Sequence, residues 1–203
     1  MMMFIPLADK NDKDAKDLFE ALDLGEDGRE YFKDKCNSFE TNSLVALRDK
    51  RSGSEGRTLL HNAARNGVLS AALHLLRAGH PVDVTDSGLT RITPLMDAIA
   101  YRNMEIAIIL VEAGANLNMV DINGENALHY AARSGSSRMV KWIIKASNLS
   151  KQAIQKCASA TNIKLKFPED LATNAVVREV LTNFRQYGQH VSSIKRRKDI
   201  NKS

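Results

Sequence analysis

One feature limits the folds open to this chain more than any other: part of its sequence repeats. Gly56-Arg57-Thr58-Leu59-Leu60-His61-Asn62-Ala63-Ala64 aligns with Thr93-Pro94-Leu95-Met96-Asp97-Ala98-Ile99. Both align with Gly124-Glu125-Asn126-Ala127-Leu128-His129-Tyr130-Ala131-Ala132. Thr58 and Thr93 are 35 residues apart, and Thr93 and Asn126 are 33 apart. A period of this size means stacked copies of one supersecondary unit, because each copy alone cannot bury its apolar face.

Each opening is followed by a second apolar stretch with helical spacing: Ala71-Ala72-Leu73-His74-Leu75-Leu76, Ile106-Ala107-Ile108-Ile109-Leu110-Val111 and Met139-Val140-Lys141-Trp142-Ile143-Ile144. Gly79 and Gly114 follow the first two, where a helix end needs a left-handed residue. Thr58 and Thr93 stand where a hydroxyl can cap the first helix, and Pro94 suits its first turn. Aromatic residues make up only 5% of the chain, so Ala, Leu, Ile and Val must do the packing, which suits close-set helices better than a sheet.

These residues resemble the ankyrin repeat, with its Thr-Pro-Leu-His opening, paired alanines, glycine turn, apolar helix and Asp-x-x-Gly link. The resemblance covers about residues 56–185. It implies an all-α ankyrin-repeat solenoid of stacked helix-turn-helix units, with short β-hairpin fingers and irregular helical caps. It also implies that His61 and His129 tie one repeat to the next by hydrogen bonds. The departures are specific. The link from Asp86 to Thr93 is two residues longer than standard, Arg102 replaces the glycine found at Gly67 and Gly135, and no Gly-Ala follows Ile144.

The expected organisation is a helical N-terminal cap over 1–55, a repeat domain over 56–187 and a basic tail over 188–203. Repeats fall near 56–88, 89–121 and 122–150. An insertion at 151–164 includes a short helix over 151–158 capped by Ser150. A degenerate repeat at 165–187 opens on Phe167-Pro168-Glu169-Asp170-Leu171-Ala172. In the cap, Leu18, Phe19 and Leu22 share one helical face, and Leu44-Val45-Ala46-Leu47 fits a second helix of an eroded repeat. The tail is expected to fray.

No catalytic constellation is found. Gly53-Ser54-Glu55-Gly56-Arg57-Thr58 lacks the ending of a phosphate loop. His61, His74, His80, His129 and His190 have no metal-pair spacing, and Cys36 and Cys157 have no nucleophile context. Trp142 aligns with His74 and Ile109, a position expected in the core. No enzyme activity, cofactor, metal or small-molecule substrate is expected. The apolar start, Met1 to Ala8, is short, lacks a basic flank and is not expected to act as a signal peptide. No apolar run approaches the roughly 18 residues of a membrane span. Two distant cysteines suit a reducing compartment. A cytoplasmic location is expected, with the nucleus or a host cytosol as alternatives.

The net charge of +5 is uneven: residues 1–56 hold 9 Lys and Arg against 13 Asp and Glu, so the excess lies beyond them. Lys195-Arg196-Arg197-Lys198 reads first as a solvated tail and second as an import or anionic-surface patch. Nucleic-acid binding ranks low, because the cations are scattered and lack interleaved aromatics.

The expected function is therefore protein–protein interaction by a chain that is monomeric on its own. An alternative is a bacterial effector, or the targeting part of a larger protein. The resemblance implies a concave partner-binding face of three stripes: Asn62, Asp97 and Tyr130; Arg65, Ala100 and Arg133; and Asn66, Tyr101 and Ser134. The finger loops would add Ser87, Leu89, Thr90, Arg91, Met119, Ile122 and Asn123. Tyrosine supplies apolar area and a hydroxyl at low entropy cost, and Arg65 and Arg133 favour a carboxylate-bearing partner segment.

Overall fold

The computed structural model describes residues 56–88, 90–146 and 150–200, with Asp17, Leu18, Glu20, Tyr31, Asp34, Arg51 and Ser52. Leu89, Cys36, Phe19, Leu22 and the Leu44–Leu47 stretch lie outside the described residues, as do the side chains of Lys195 to Lys198. The chain divides into two compact units, Met1–Asn116 and Leu117–Ser203.

In the first unit, a two-residue antiparallel pair, β1 (Arg51–Ser52) and β2 (Arg57–Thr58), aligns Arg51 with Thr58. Four helices follow: α1 (Leu59–Asn66), α2 (Leu69–Arg77), α3 (Pro94–Ala100) and α4 (Met104–Glu112). The first helices α1 and α3 pack on each other, and each packs on its own second helix. Ala63, Ala64, Ala71, Ala72, Ala98 and Ala107 have no exposed surface, so the small residues sit where backbones come together. Leu59, Leu60, Leu75, Leu95, Ile99 and Leu110 fill the remaining core. Burying a side chain of that size stabilises by roughly 1.5–3 kcal/mol.

The caps follow the sequence with one change. The Thr93 hydroxyl accepts from Met96 N at 3.3 Å, and Pro94 opens α3. Thr58 Oγ1 instead lies 2.8 Å from His61 Nδ1. The His61 Nε2 lies 2.9 Å from the Ile92 carbonyl oxygen, which can only accept, so Nε2 carries the ring proton. That bond ties α1 to the chain entering α3. Arg102 adopts φ 61°, the left-handed backbone that Gly67 and Gly135 adopt at φ 74° and 70°. Here the arginine keeps the turn and bears the strain that glycine avoids.

The second unit contains α5 (Ala127–Ser134), α6 (Ser137–Lys145), α7 (Lys151–Ser159), a 3-10 turn (Pro168–Leu171) and α8 (Ala175–Ile200). Ser150 caps α7, accepting from Ala153 N at 3.0 Å. His129 repeats the device of His61: Asn126 N donates to Nδ1 at 3.2 Å, and Nε2 donates to the Lys166 carbonyl at 3.1 Å. Burial holds the His129 pKa below its usual 6.5, so the ring is neutral. Leu128, Ala131, Val140, Ile143, Cys157, Val177 and Leu181 form the core. Trp142 is half-buried, as are His74 and Ile109, while Met139, Val140 and Ile143 take the inner face of α6.

The backbone of the expected fraying tail is helical through Ile200. The stretch contains no proline, and Gly188 lies against Gln155 of α7, where a Cβ would come within 1.9 Å of Gln155 Cδ. α7 and α8 thus approach closely at Gly188.

Candidate functional site: finger turns and first-helix ends

Between one repeat's second helix and the next first helix, the chain makes a hairpin turn, or finger. Asp86 N donates to Ile92 O, Asp121 N to Glu125 O, and Asn162 N to Lys166 O, at 3.0, 3.1 and 3.0 Å. The residue before each closing residue is left-handed: Arg91 at φ 56°, Gly124 at 72° and Leu165 at 58°. In the latter two fingers a side-chain oxygen organises the turn. Asp121 Oδ1 accepts from Asn123 N and Glu125 N, both at 2.8 Å. Asn162 Oδ1 accepts from Lys164 N and Lys166 N, both at 3.0 Å. Such local bonds favour Asp and Asn in turns.

In the first unit, the Arg65 guanidinium stands over the Tyr101 ring at 5.1 Å from its centroid. Tyr101 is 50% exposed, so the stacked pair is accessible from outside. The C-terminus of α1 behind it is held by Asn103 Nδ2, which donates to Ala64 O and Arg65 O at 2.7 and 2.9 Å. Asn66 is half-buried. Asn62 and Asp97 are buried, and Asp97 is paired with Arg57. Burial raises the Asp97 pKa to about 6, against the pull of Arg57. In the first finger, Ser87 is exposed with its hydroxyl 3.4 Å from Gly56 O, Thr90 donates to the Asp86 carboxylate, and Arg91 is exposed.

In the second unit, Tyr130 is half-buried and its hydroxyl donates to Asp121 Oδ2 at 3.0 Å. Arg133 reaches buried Glu125 at 2.5 and 2.6 Å, and Asn162 Nδ2 donates to the same carboxylate at 3.1 Å. The Arg133 side chain stays 56% exposed. Ser134 is buried and donates to Ala131 O at 2.9 Å. Met119 is half-buried, while Ile122 and Asn123 are exposed. Ile163 N donates to Asn123 O at 2.9 Å and joins the two fingers.

Of the expected surface residues, Arg65 and Tyr101 come together, and so do Asn123, Tyr130 and Arg133 around Asp121 and Glu125. Asn62, Asp97 and Ser134 face inward. Ile163, Lys164, Leu165 and Lys166, all exposed on the last finger, are not among the surface residues expected from the sequence. Their signal was the match of Asn162-Ile163-Lys164-Leu165-Lys166 to Asp121-Ile122-Asn123-Gly124-Glu125, with Leu165 in the glycine's place. A cavity of about 200 Å³ opens beside them, lined by Glu125, Arg133, Asn162, Ile163, Lys164 and Lys166 among others.

Among the described residues no group of three His, Cys, Asp or Glu could hold a metal ion, and no helix is long and apolar enough to cross a membrane. Cys157 is buried and donates to Leu117 O at 3.3 Å, and burial raises its pKa to about 12. A thiol in that state is a packing group, not a nucleophile.

The model for ankyrin repeats (3 copies) matches residues 60–154. The chain is 33% identical over 92 residues to the B-cell lymphoma 3 protein homolog of Mus musculus, covering 45% of this chain and 20% of that protein. It is 33% identical over 93 residues to Inversin of Gallus gallus, covering 46% of this chain and 8% of that protein. It is 35% identical over 98 residues to the putative E3 ubiquitin-protein ligase XBAT31 of Arabidopsis thaliana, covering 48% of this chain and 21% of that protein. The chain thus spans about a fifth or less of the length of these relatives. Residues 60–154 carry three ankyrin repeats, and the chain is an ankyrin-repeat protein.

Proposed function

We propose that the chain is a non-catalytic interaction module that binds a partner protein through its exposed first-helix ends and finger turns. The observation that carries this reading is the Arg65–Tyr101 stack. A half-exposed tyrosine held under a guanidinium is costly to leave in water and cheap to bury against a partner. Asn103 holds the backbone at Ala64 and Arg65, so the end of α1 that carries Arg65 is set before binding, which lowers the entropy lost on association. Asn123, Tyr130 and Arg133 supply the corresponding polar surface in the second unit. The expected location is the cytoplasm.

Capture from lysate with the full chain, beside a Tyr101→Ala/Tyr130→Ala/Arg133→Ala variant, tests the reading. A protein retained by the parent and lost from the variant, at unchanged thermal midpoint, supports it. Identical captured proteins from both chains overturn it.

A further inference from the structure

We propose that the last finger, Asn162 to Lys166, is a dedicated anchor for an acidic peptide segment of the partner, with Leu165 as its apolar contact. This rests on the reading of the chain as an interaction module and names the chemistry of what one of its surfaces takes.

Leu165 is unfavourable to the folded chain in two separate ways. Its backbone sits at φ 58°, in the left-handed region where the equivalent residue of the preceding finger is Gly124. Its side chain is also 81% exposed, so no burial offsets the strain. Gly124 lies under the last finger, where a Cβ would meet Ile163 N at 3.3 Å. Leu165 has room for a side chain, yet room does not relieve the backbone. Arg91 holds the same backbone position in the first finger, so what distinguishes Leu165 is that the strained residue there is a large apolar one left in solvent. The turn bonds that hold Leu165 there are all made, with Leu165 N donating to Asn162 O at 2.9 Å and Asn162 Oδ1 accepting from both flanking lysine amides.

The neighbours specify the ligand. Ile163 is 66% exposed on the same tip, and Ile122 is 53% exposed on the finger bonded to it. Lys164 and Lys166 alternate with the apolar residues and are exposed, and Arg133 borders the same cavity. The one carboxylate there, Glu125, is buried and already held by Arg133 and Asn162. The tip is therefore apolar with a cationic rim. The 200 Å³ cavity has the volume for a single carboxylate side chain. The complementary occupant is a peptide that sets an apolar side chain on Leu165 and Ile163 and an Asp or Glu beside Lys164, Lys166 and Arg133.

The test uses the immobilised full chain and a displayed library of random 12-residue peptides. Selected peptides should pair acidic with apolar residues. Synthesised, they should bind the parent roughly tenfold more tightly than either Leu165→Gly or Lys164→Glu/Lys166→Glu. Leu165→Gly is compatible with the turn, so its loss of binding would not reflect unfolding. Three outcomes overturn the proposal: no enriched peptide, peptides of another chemistry, or acidic peptides indifferent to both variants. Peptides that depend on Tyr101 and not on Leu165 sink the anchor and leave the interaction-module reading standing. Peptides indifferent to Tyr101, Tyr130, Arg133 and Leu165 sink both. Pelleting with phosphatidylserine vesicles that Leu165→Gly abolishes, without peptide enrichment, would assign the tip to a membrane instead.

Discussion

Arg57 reaches 40 positions along the sequence to close its guanidinium on the Asp97 carboxylate, and both side chains are buried. The pair joins the strand before α1 to the middle of α3. Removing one member of such a pair takes the facing countercharge away from a charge that stays buried. Asp97→Ala should therefore cost about 3–5 kcal/mol at neutral pH by urea unfolding. Replacing both with apolar residues, as in Arg57→Met/Asp97→Leu, should recover most of that loss. A single variant within 1 kcal/mol of the parent, by order of magnitude, would mean that water reaches the pair.

The same carboxylate gives a pH signature. Burial raises its pKa from 3.8 to about 6, with Arg57 acting in the opposite direction. Between those values the folded chain holds a proton that the unfolded chain has released. The contribution of this group is thus full below the unfolded value and is lost as pH rises to about 6. Unfolding midpoints of the parent, measured relative to Asp97→Asn, should decline across that window and level off above it. A parent that instead gains on the variant there would show that ion pairing outweighs burial.

His129 should act with the opposite slope. Its ring is neutral and desolvated, and its folded pKa lies below the usual 6.5. Stability from this group is present above the unfolded pKa and lost as pH falls through the folded one. Proton NMR of the ring should give a titration midpoint under 6.5. Protonation at or above that value would mean that nearby Glu125 and Asp121 dominate over burial.

Cys157 offers a probe of opening in the second unit. Its thiol is fully buried, bonded to Leu117 O and raised to about 12. In a Cys36→Ser background, a thiol reagent at pH 8 should leave Cys157 unmodified in the native chain and label it completely in denaturant. Native-state labelling should track opening of the unit, so its rate should rise when His129→Ala removes the bond to Lys166 O. Prompt labelling of the native protein would contradict the packing of α7 against Leu117.

Much of the repeat frame was legible because its signals are local. The alanines at 63, 64, 131 and 132, the cap at Thr93 and the left-handed glycines at 67 and 135 each report a constraint within a few residues. The same holds for Ser150 and α7. What stayed hidden depends on distance or on register. Nothing near Asp97 announces Arg57, so a position that alignment places with Asn62 and Tyr130 reads as surface until the ion pair is seen. Tyr130 likewise gives its hydroxyl to Asp121. The last finger escaped because the inserted α7 shifts its spacing, and because leucine stands where the pattern asks for glycine.

That leucine and the glycine it replaces make a paired prediction. Gly124 and Leu165 occupy the same turn position at φ 72° and 58°. Gly124→Ala forces a side chain into the left-handed region and against Ile163 N, and should cost about 1–2 kcal/mol. Leu165→Gly removes the equivalent strain and gains the unfolded chain some freedom, so its net effect should lie between zero and a stabilisation of about 1 kcal/mol. Leu165→Val places a β-branched side chain at that backbone and should destabilise. Urea unfolding of the four chains should therefore rank Leu165→Gly at or above the parent, with Leu165→Val and Gly124→Ala below it. If Leu165→Gly instead unfolds earlier than the parent, Leu165 serves the fold and its exposed side chain needs no partner to explain it.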